Sequence, residues 1–580
     1  MVSLRTSAFA LSVGEDVIWG FGHQVVPGRM NPVFVRVFND RPEPFTGTIY
    51  LSALRNVGGR VGERIAEECY VTPFTERWLQ FSVYVGNHWG EWELKWGKGD
   101  LDRKTLTRPR RGPAARVFLT VDDRRGAHGV AIKAFPSRLL PPDVSSLEGL
   151  RSVALDAVPS WEPARRMAFL QWIRGGGIVH LLRDIDGHHP QFDGHLDVLN
   201  RDDDRYRIGG GQIVRHSVSR KDLTNEYLAN QGFPEPVFQE DKKVVVHDIQ
   251  SLFFDYLRSH VRASHPWKTI FLISLIYVAV VGPGNGYLAR KWSATTWTTM
   301  CFLGIVVFFS AVFALIGTYG NKERASARAV AVARSIGDGM YDVTQWYSVF
   351  VTRSGDYDIR HAHSHNAYAT CDEMNIVHGV TRGGLEGVLQ LRIPLNSSFT
   401  FLHRGIVAGD DIEIDLEDGT GTKTNLAAMA FETGKNFPKD TLAMWAYHRG
   451  FYYPLSRESD RLLVGEAVKG ADFVTYKTIS NVMRLQHTLR FSQRTESAEN
   501  TLAYPDQVVR VLMARSVNQP NVFRNTSTLD DSDPGRVRVF IMTERTNDFA
   551  IDSSIFRDDK GLVVYEKDLH MEPPEPKPIG

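Results

Sequence analysis

The feature that most constrains this chain is a pair of long apolar runs near its middle. Residues 269–289 contain no charged side chain, and residues 292–321 contain none either. A helix rises about 1.5 Å per residue, so about 20 apolar residues cross the hydrocarbon core of a bilayer. Backbone polar groups in lipid must bond to each other, which favours helices. The sequence predicts a transmembrane hairpin with spans at 269–289 and 297–319; two buried core helices are the alternative.

Aromatic and basic residues flank the two runs. Trp267, Tyr287, Trp297 and Tyr319 lie where interfacial aromatic side chains are expected. Two basic residues in the loop between the runs would be cytoplasmic if both soluble parts lie outside. More basic residues flank the runs, and counted strictly they favour the opposite topology, so the sequence leaves the orientation undecided. The basic residues are Arg290 and Lys291 in the loop, and Arg258, Arg262, Lys268, Lys322, Arg324 and Arg328 outside.

Most of this chain is water-soluble. It has 580 residues, which implies several domains, and 23% of its residues are charged. Its mean hydropathy is −0.23. These values indicate a two-span anchor that carries large soluble domains, and they exclude a polytopic transporter. The formal net charge of +1 argues against a nucleic-acid partner.

The first part of the chain has the pattern of antiparallel β-strands. Apolar and polar side chains alternate in several short segments, which is typical of strands with one buried face. We therefore expect residues 1–112 to form a β-sandwich, in which the tryptophans belong to the core or rim. The alternating apolar residues are Val33, Val35, Val37, Phe81, Val83, Val85, Trp92, Leu94 and Trp96.

The pattern then changes to alternating strands and helices. Apolar strands are predicted at 116–121, 152–156 and 178–182, and a shorter one at 209–215. Residues 162–174 have helical spacing and end at three glycines. Strand, helix and strand in this order predict a parallel sheet, so residues 116–250 form an α/β domain of the flavodoxin or amidotransferase type. Residues 252–257 predict an amphipathic helix at the membrane surface.

Three segments carry a resemblance to a known family. Residues 172–179 (Trp-Ile-Arg-Gly-Gly-Gly-Ile-Val) and the glycine-rich stretch before Gln212 resemble the degenerate class I glutamine-amidotransferase-like domain of uncharacterised bacterial envelope membrane proteins. Residues 27–33, together with Asn39, resemble the Ig-like domain that precedes it in such proteins. Residues 281–291 resemble their first span and loop. The resemblance covers roughly the first 320 residues.

The resemblance implies a location and an architecture. It implies a bacterial inner-membrane protein whose large soluble domains face the periplasm, with a signal peptide upstream of Ser7 and Ala8. Residues 8–13 are too short to be the apolar core of such a peptide. The overall expectation is a multidomain α+β membrane protein with residues 251–322 as the interfacial helix and hairpin.

After the hairpin the chain returns to strand patterns. Ile412, Ile414 and Leu416 alternate with acidic residues, and similar alternation occurs near residues 347, 389 and 537. One helix is predicted at 505–515. Residues 325–570 are therefore expected to be β-rich, and residues 571–580 form a proline-containing tail predicted to be disordered.

No recognisable catalytic motif is present. A class I amidotransferase needs a cysteine on a glycine-flanked strand–helix turn. Cys69, Cys301 and Cys371 all lack that setting and lie outside residues 116–250, and no Gly-x-Ser-x-Gly segment replaces them. We therefore assign no catalytic, cofactor-binding or metal-binding residue and expect no cofactor.

Two glycine-rich segments resemble phosphate-binding loops only in part. Residues 419–424 lack the spacing of a Walker loop and follow an acidic strand, as a hairpin turn would. Gly282, Gly284 and Gly286 surround Pro283 inside the first span. They predict a helix kink, a close-packing surface for another helix, or both.

Two polar clusters remain as weaker candidates. His361, His363 and His365 would face the same way on a strand and could converge on zinc or copper; a polar loop is the alternative. The second cluster follows the third parallel strand, at the edge where α/β sites form. It comprises Asp184, Asp186, His188, His189, Asp193, His195, Asp197, Asp202, Asp203 and Asp204.

Three functional hypotheses follow. The first is a non-enzymatic envelope protein whose soluble domains act in assembly or partner binding, with the bilayer and envelope proteins as its partners. The second is a membrane-tethered metal-dependent enzyme that uses His361, His363 and His365. The third is an accessory subunit of a transport or export complex, which would use the small-residue face near Pro283.

Overall fold

The structure is a computed structural model. It describes residues 11–54, 59–85, 91–97, 102–121, 132–235, 249–261, 267–291, 295–320, 325–370, 376–384, 386–417, 426, 430–474, 505–517, 535–553, 555–556 and 558–571. In this part of the chain the protein is rich in β-structure, with several sheets, a few helices and two long apolar helices.

The N-terminal segment forms two sheets that face each other. Their facing side chains share one apolar core, in which the rings of Trp19 and Trp92 lie 5.5 Å apart. Trp92 is 2% exposed and therefore belongs to this core. The first sheet consists of β1 (Ser12–Trp19), β3 (Met30–Phe38) and β6 (Glu76–Tyr84), in the order β1-β3-β6; β2 (Gln24–Val25) and β9 (Arg110–Arg111) pair separately.

The second of these sheets combines strands that precede the two apolar runs in the sequence with strands that follow them. Its described strands follow the order β18-β21-β20-β5-β4-β7-β8. The junction is the parallel pairing of β5 with β20, where Arg64 lies opposite Val380. The strands are β4 (Phe45–Leu54), β5 (Arg60–Val71), β7 (Trp92–Lys95), β8 (Arg103–Leu106), β18 (Gly355–Ile359), β20 (Ile376–Arg382) and β21 (Val388–Ile393).

The predicted βαβ segment folds as a mostly parallel sheet. Its described strands have the order β11-β10-β12-β13-β15-β14, and only β14 runs antiparallel to its neighbour. Gly211 lies where the helix meets β15; a Cβ there would come within 2.0 Å of the Ile173 carbonyl oxygen, so only glycine fits. The elements are β10 (Ala115–Thr120), β11 (Ala134–Pro136), β12 (Leu150–Leu155), α1 (Pro163–Arg174), β13 (Ile178–Leu181), β14 (Arg205–Ile208), β15 (Gly211–Arg215) and α2 (Asn225–Asn230).

The strands of the largest sheet all follow the two apolar runs in the sequence. In the described residues it has twelve strands in the order β19-β22-β17-β16-β30-β29-β25-β26-β27-β24-β23, with β28 paired to β26. Its strands are β16 (Ser326–Gly337), β17 (Met340–Val351), β19 (Ser364–Ala369), β22 (Ser397–Ala408), β23 (Ile414–Leu416), β24 (Ala430–Thr433), β25 (Thr441–His448), β26 (Phe451–Glu458), β27 (Arg461–Val464), β28 (Val468–Lys469), β29 (Arg536–Glu544) and β30 (Asp558–His570). Two further helices are α7 (Gly470–Phe473) and α8 (Pro505–Ser516), the second close to its predicted position.

The amphipathic segment before the hairpin does not present its apolar face to a membrane. It forms α3 (Ile249–His260), whose Phe253 and Leu257 are fully buried against the largest sheet. The Phe253 ring lies 4.9 Å from the ring of Trp346 on β17. The prediction that the apolar face of this helix lies at the membrane surface is thus wrong. A sheet of the same chain covers the apolar side chains that would otherwise enter lipid.

The two apolar runs form the predicted helical hairpin. The first run is one continuous helix, α4 (Trp267–Ala279), a π-turn (Val280–Gly284) and α5 (Asn285–Lys291); the second is α6 (Thr295–Gly320). Tyr277 packs on Phe309, with ring centroids 5.1 Å apart. Segments of 18 and 20 residues within them are long and apolar enough to span a membrane, and the protein buries only 0% and 6% of those residues.

Both arms of the hairpin leave the body at the same end of the largest sheet. β16 begins at Ser326, six residues after α6 ends. α3 runs towards Ser326 as it crosses the sheet. Its Phe253 contacts Trp346, which pairs with Val330. Farther along, Arg258 donates a hydrogen bond to Thr400, whose row in the sheet lies two residues closer to Ser326. We call this the Ser326 end of the sheet.

Replacing Phe253 with alanine tests the buried position of α3. We expect Phe253→Ala to lower the free energy of unfolding of the detergent-purified protein by about 3 kcal/mol, because it leaves a cavity beside Trp346. Val278→Ala, on a 65% exposed position of the first span, is the control. Denaturant unfolding followed by tryptophan fluorescence measures both; equal, small effects would contradict the packing.

Candidate functional site

Three buried histidines from two segments of the chain meet beside the largest sheet. His403 lies within β22, His361 forms an isolated bridge with Ile551, and His363 directly precedes β19. The rings of His361 and His403 are stacked, with centroids 3.7 Å apart and planes 11° apart. The His363 ring lies 5.4 Å from His361 and 5.3 Å from His403. We call these three residues the histidine cluster.

Hydrogen bonds define the protonation of His403. The side-chain nitrogen of Gln345 donates to Nδ1 of His403 over 3.2 Å, and Nε2 of His403 donates to the side-chain oxygen of Asn366 over 2.8 Å. One ring nitrogen accepts and the other donates, which is the pattern of a neutral imidazole. This network therefore holds His403 uncharged between strands β17, β19 and β22.

The other two rings each have one bonded nitrogen. Nε2 of His363 donates to the carbonyl oxygen of Asp548 over 2.5 Å, and Nδ1 of His361 bonds to the hydroxyl of Tyr368 over 3.0 Å. Nδ1 of His363 and Nε2 of His361 are buried and have no hydrogen-bond partner among the described residues. The first of these bonds connects the cluster to the segment after β29, which contains Asp548, and the second connects it to β19, which contains Tyr368.

Burial dominates the electrostatics of the cluster. It lowers the pKa of His363 and holds the pKa values of His361 and His403 well below the ordinary histidine value, and the neighbouring imidazoles add to the shift for the latter two. Arg545 contacts the Tyr347 hydroxyl and pairs with Asp559 beside the cluster. Its positive charge further disfavours protonation of His361 and His363.

The histidine cluster is not the predicted three-imidazole metal site. In the described part of the chain, no group of three or more His, Cys, Asp or Glu side chains is arranged to hold a metal ion. His365 is partly exposed and has a left-handed backbone, with φ of 55°. This conformation breaks the two-residue alternation on which the prediction depended. His403, 40 residues from His363, takes the third position instead, and no local pattern in the sequence marks it.

A second set of histidines lies on one face of the parallel sheet. Nδ1 of His180 bonds to Nε2 of His216 over 3.0 Å, and Nδ1 of His216 bonds to the Tyr227 hydroxyl over 3.2 Å. Burial lowers the pKa of His216 to about 4 and holds that of His180 well below its usual value. Sequence reasoning missed this hydrogen-bonded series of side chains. His180 lies in β13 and His216 directly follows β15, which places both rings on the sheet face next to α2.

The predicted acidic cluster at the edge of this sheet serves local structure. One side-chain oxygen of Asp184 accepts hydrogen bonds from the backbone amides of Asp186 and His188, which is a turn. Asp193 pairs with Arg166 and Asp202 with Arg215. The structure brings no ligand set together here among the described residues. Of the remaining members, His189 is half-buried, and His195, Asp197, Asp203 and Asp204 are exposed.

Cys69 and Cys301 lie away from the parallel sheet. Cys69 is buried in the N-terminal core, where burial raises the pKa of its thiol, and Cys301 lies in α6. Cys371, the glycine-rich residues 419–424 and the tail from residue 572 lie outside the described residues.

Most of the exposed large apolar side chains in the described residues lie on the hairpin. Phe271 and Val278 on the first helix are 71% and 65% exposed, and Phe308 on the second is 62% exposed. A Cβ atom added to Gly282 or Gly286 would meet no atom within 4 Å, so no part of the described protein fills this glycine face. The π-turn that contains Pro283 is the local irregularity that the proline predicted.

Comparisons with known proteins do not identify the chain. No protein-family model matches it, and no curated protein matches it. Among solved structures, the cycloisomaltooligosaccharide glucanotransferase of Paenibacillus sp., complexed with cycloisomaltoheptaose, aligns at 8% identity over 78% of this chain and 98% of that chain. Its TM-score is 0.15, too low to indicate a shared fold.

The buried histidines make stability depend on pH. The pKa values of these histidines are lower in the folded protein than in the unfolded chain. Below about pH 6.5 the unfolded chain therefore binds protons that the folded protein does not bind. The free energy of unfolding should therefore fall as the pH drops below that value, by up to about 1.4 kcal/mol per pH unit for each such histidine.

Replacing one ring should reduce this slope. We expect His403→Gln to lose stability less steeply than the wild type between pH 6.5 and 5. Unfolding in denaturant at a series of pH values measures the slope, and His365→Gln controls for removal of an imidazole outside the cluster. Parallel wild-type and His403→Gln curves would show that His403 does not contribute.

Proposed function

We propose that this protein is a two-span bacterial inner-membrane protein whose soluble body acts without catalysis, in assembly or partner binding in the cell envelope. The observation that carries the proposal is the exposure of the hairpin: its two membrane-length segments are 0% and 6% buried although the surrounding body has extensive cores. Apolar helices of this length and exposure are stable in lipid and not in water.

The strand pairing supports one location for the whole body. β5 precedes the hairpin in the chain and pairs with β20, which follows it. α3 precedes the hairpin and packs on β17. A sheet cannot continue through a bilayer, so both flanks of the hairpin lie on one side of the membrane, and the loop at Arg290 and Lys291 lies on the other side.

A periplasmic body is the orientation we propose. It agrees with the resemblance to envelope proteins that contain an Ig-like and a degenerate amidotransferase-like domain. The positive-inside rule does not choose this orientation, because Arg290 and Lys291 would lie in the cytoplasm whereas six basic residues flank the hairpin on the body side.

The non-enzymatic part of the proposal is supported by the parallel sheet. An amidotransferase nucleophile requires a cysteine at a strand–helix turn, and the sequence has no cysteine between Cys69 and Cys301. No such nucleophile is available for activation by the hydrogen-bonded series of His180, His216 and Tyr227. We therefore propose that this α/β unit serves as a scaffold.

Site-specific labelling tests the orientation. In a background without Cys69, Cys301 and Cys371, we place one cysteine at Ile185, which is 79% exposed on the body, or at Lys291 in the hairpin loop. A membrane-impermeant maleimide applied to spheroplasts should label the Ile185→Cys protein and spare Lys291→Cys until the membrane is lysed. The reverse pattern would overturn the periplasmic placement, and labelling of both would overturn the hairpin.

A second candidate function is an accessory subunit of a transport or export complex. The open glycine face of the first span favours it, because small residues let another membrane helix approach closely.

Gly286→Leu tests this contact, since a Cβ at position 286 meets no atom of the described protein within 4 Å. We expect the variant to lose membrane proteins that co-purify with the wild type after mild detergent extraction. Gly304→Leu on the second span, where a Cβ is equally unhindered, is the matched control. The same set of proteins with Gly286→Leu would exclude the contact.

A further inference from the structure

The end of the largest sheet from which the hairpin leaves carries exposed apolar side chains of its own. Four of its strands, β16, β17, β22 and β30, begin or end there: Ser326 lies opposite Phe350 and Asp558, and Val351 lies opposite Ser397. β18 and β21 reach the same level of the neighbouring sheet, where Gly355 pairs with Ile393. The loops beyond these strand ends therefore share one rim.

Two branched aliphatic side chains project from this rim. Leu395, between β21 and β22, is 60% exposed, and Ile555, three residues before β30, is 48% exposed. Exposed arginines accompany them: Arg353 follows β17, and Arg392 lies near the end of β21.

The loops that present Leu395 and Ile555 are held in place. The hydroxyl of Ser397 donates to the carbonyl oxygen of Pro394 over 2.7 Å, which closes the turn around Leu395. Beside Ile555, the ring of Phe556 is buried against Tyr357, whose hydroxyl donates to the carbonyl oxygen of Arg353. Ordered loops that expose aliphatic side chains are suited to contact an apolar phase without a large entropy cost.

The distance to the bilayer is short. Six residue steps separate Gly320 from Ser326, and six separate Val261 from Trp267, so each connection spans at most about 20 Å. The opposite end of β16, at Gly337, lies roughly 36 Å farther away at 3.3 Å per residue. The Ser326 end is thus the end of the sheet that faces the membrane from which the hairpin emerges.

We propose that this rim is a second membrane contact, in which Leu395 and Ile555 enter the boundary between headgroups and acyl chains. The inference rests on the membrane anchoring proposed above and adds that the body lies against the bilayer instead of standing off it. Aliphatic side chains gain free energy in that layer, and Arg353 and Arg392 can pair with lipid phosphates there.

The rim has mixed charge, so the contact depends mainly on apolar insertion. Asp356 lies opposite Arg392 in the strand pair, and exposed Asp552 lies in the loop that carries Ile555. These carboxylates offset the arginines. Zwitterionic phosphatidylcholine should therefore be sufficient for the contact.

Lipid quenching tests the proposal on the full-length protein. Single cysteines at Leu395, Ile555, Ala408 or Ile185, in the background without native cysteines, carry an environment-sensitive fluorophore after reconstitution into phosphatidylcholine vesicles. Some of the lipids carry a nitroxide near the start of the acyl chain. Ala408 is the matched control for Leu395, because it is exposed at the opposite end of β22.

We expect a blue-shifted emission and a several-fold larger loss of fluorescence at positions 395 and 555 than at 408 and 185. Equal quenching at all four positions would overturn the proposal. A blue shift at 395 and 555 without lipid quenching would also overturn it, since a protein partner or a second copy would then cover the rim.

A fifth probe separates this inference from the membrane anchoring itself. Val307 is 62% exposed on the second span, so Val307→Cys should be strongly quenched if the hairpin is inserted. Quenching at 307 without quenching at 395 and 555 removes only the rim contact. Loss of quenching at 307 removes the anchoring on which the rim contact rests.

Discussion

The structure depends on one constraint, which is that two helices with long charge-free segments extend from the rest of the chain, which leaves them uncovered. Side chains such as Phe271, Val278 and Phe308 face outward, and the helices contact mainly each other through Tyr277 and Phe309. Apolar surface of this extent requires an apolar surrounding. Under the function proposed above, a bilayer supplies this surrounding.

The hairpin interrupts the sequence of the body without interrupting its structure. The parallel pairing of β5 with β20 joins residues more than 300 positions apart, and α3 continues the core of the largest sheet up to the point where the chain enters the first span. Ion pairs add to this joint: Arg404 on β22 binds Asp342 on β17 and Glu148 from the segment before β12. The parts before and after the hairpin are therefore joined by strand pairing, helix packing and ion pairs.

The sequence predicts the parts of this fold that local patterns encode. The apolar strands and glycine-ended helix of the parallel sheet follow from composition and spacing, as do the two spans and the helix at 505–515. Pairing between distant strands has no local signature, so the β5–β20 junction was not foreseeable from residues 60–71 or 376–382. The amphipathic pattern of α3 is equally compatible with lipid and with a protein sheet, and only the tertiary structure decides between them.

The histidine cluster also could not be predicted in full from local sequence patterns. Spacing correctly drew attention to His361 and His363, but the left-handed backbone at His365 turns the third ring away. His403 arrives from another strand and completes a buried, neutral network instead of a metal site.

The central claim is that lipid, and not the protein, surrounds the hairpin. The most direct measurement is the distribution of the full-length chain after cell lysis without detergent, followed by alkaline carbonate washing of the membrane pellet. The account predicts that the chain stays in the pellet and is released only by detergent. A folded, monodisperse chain in the supernatant would contradict it.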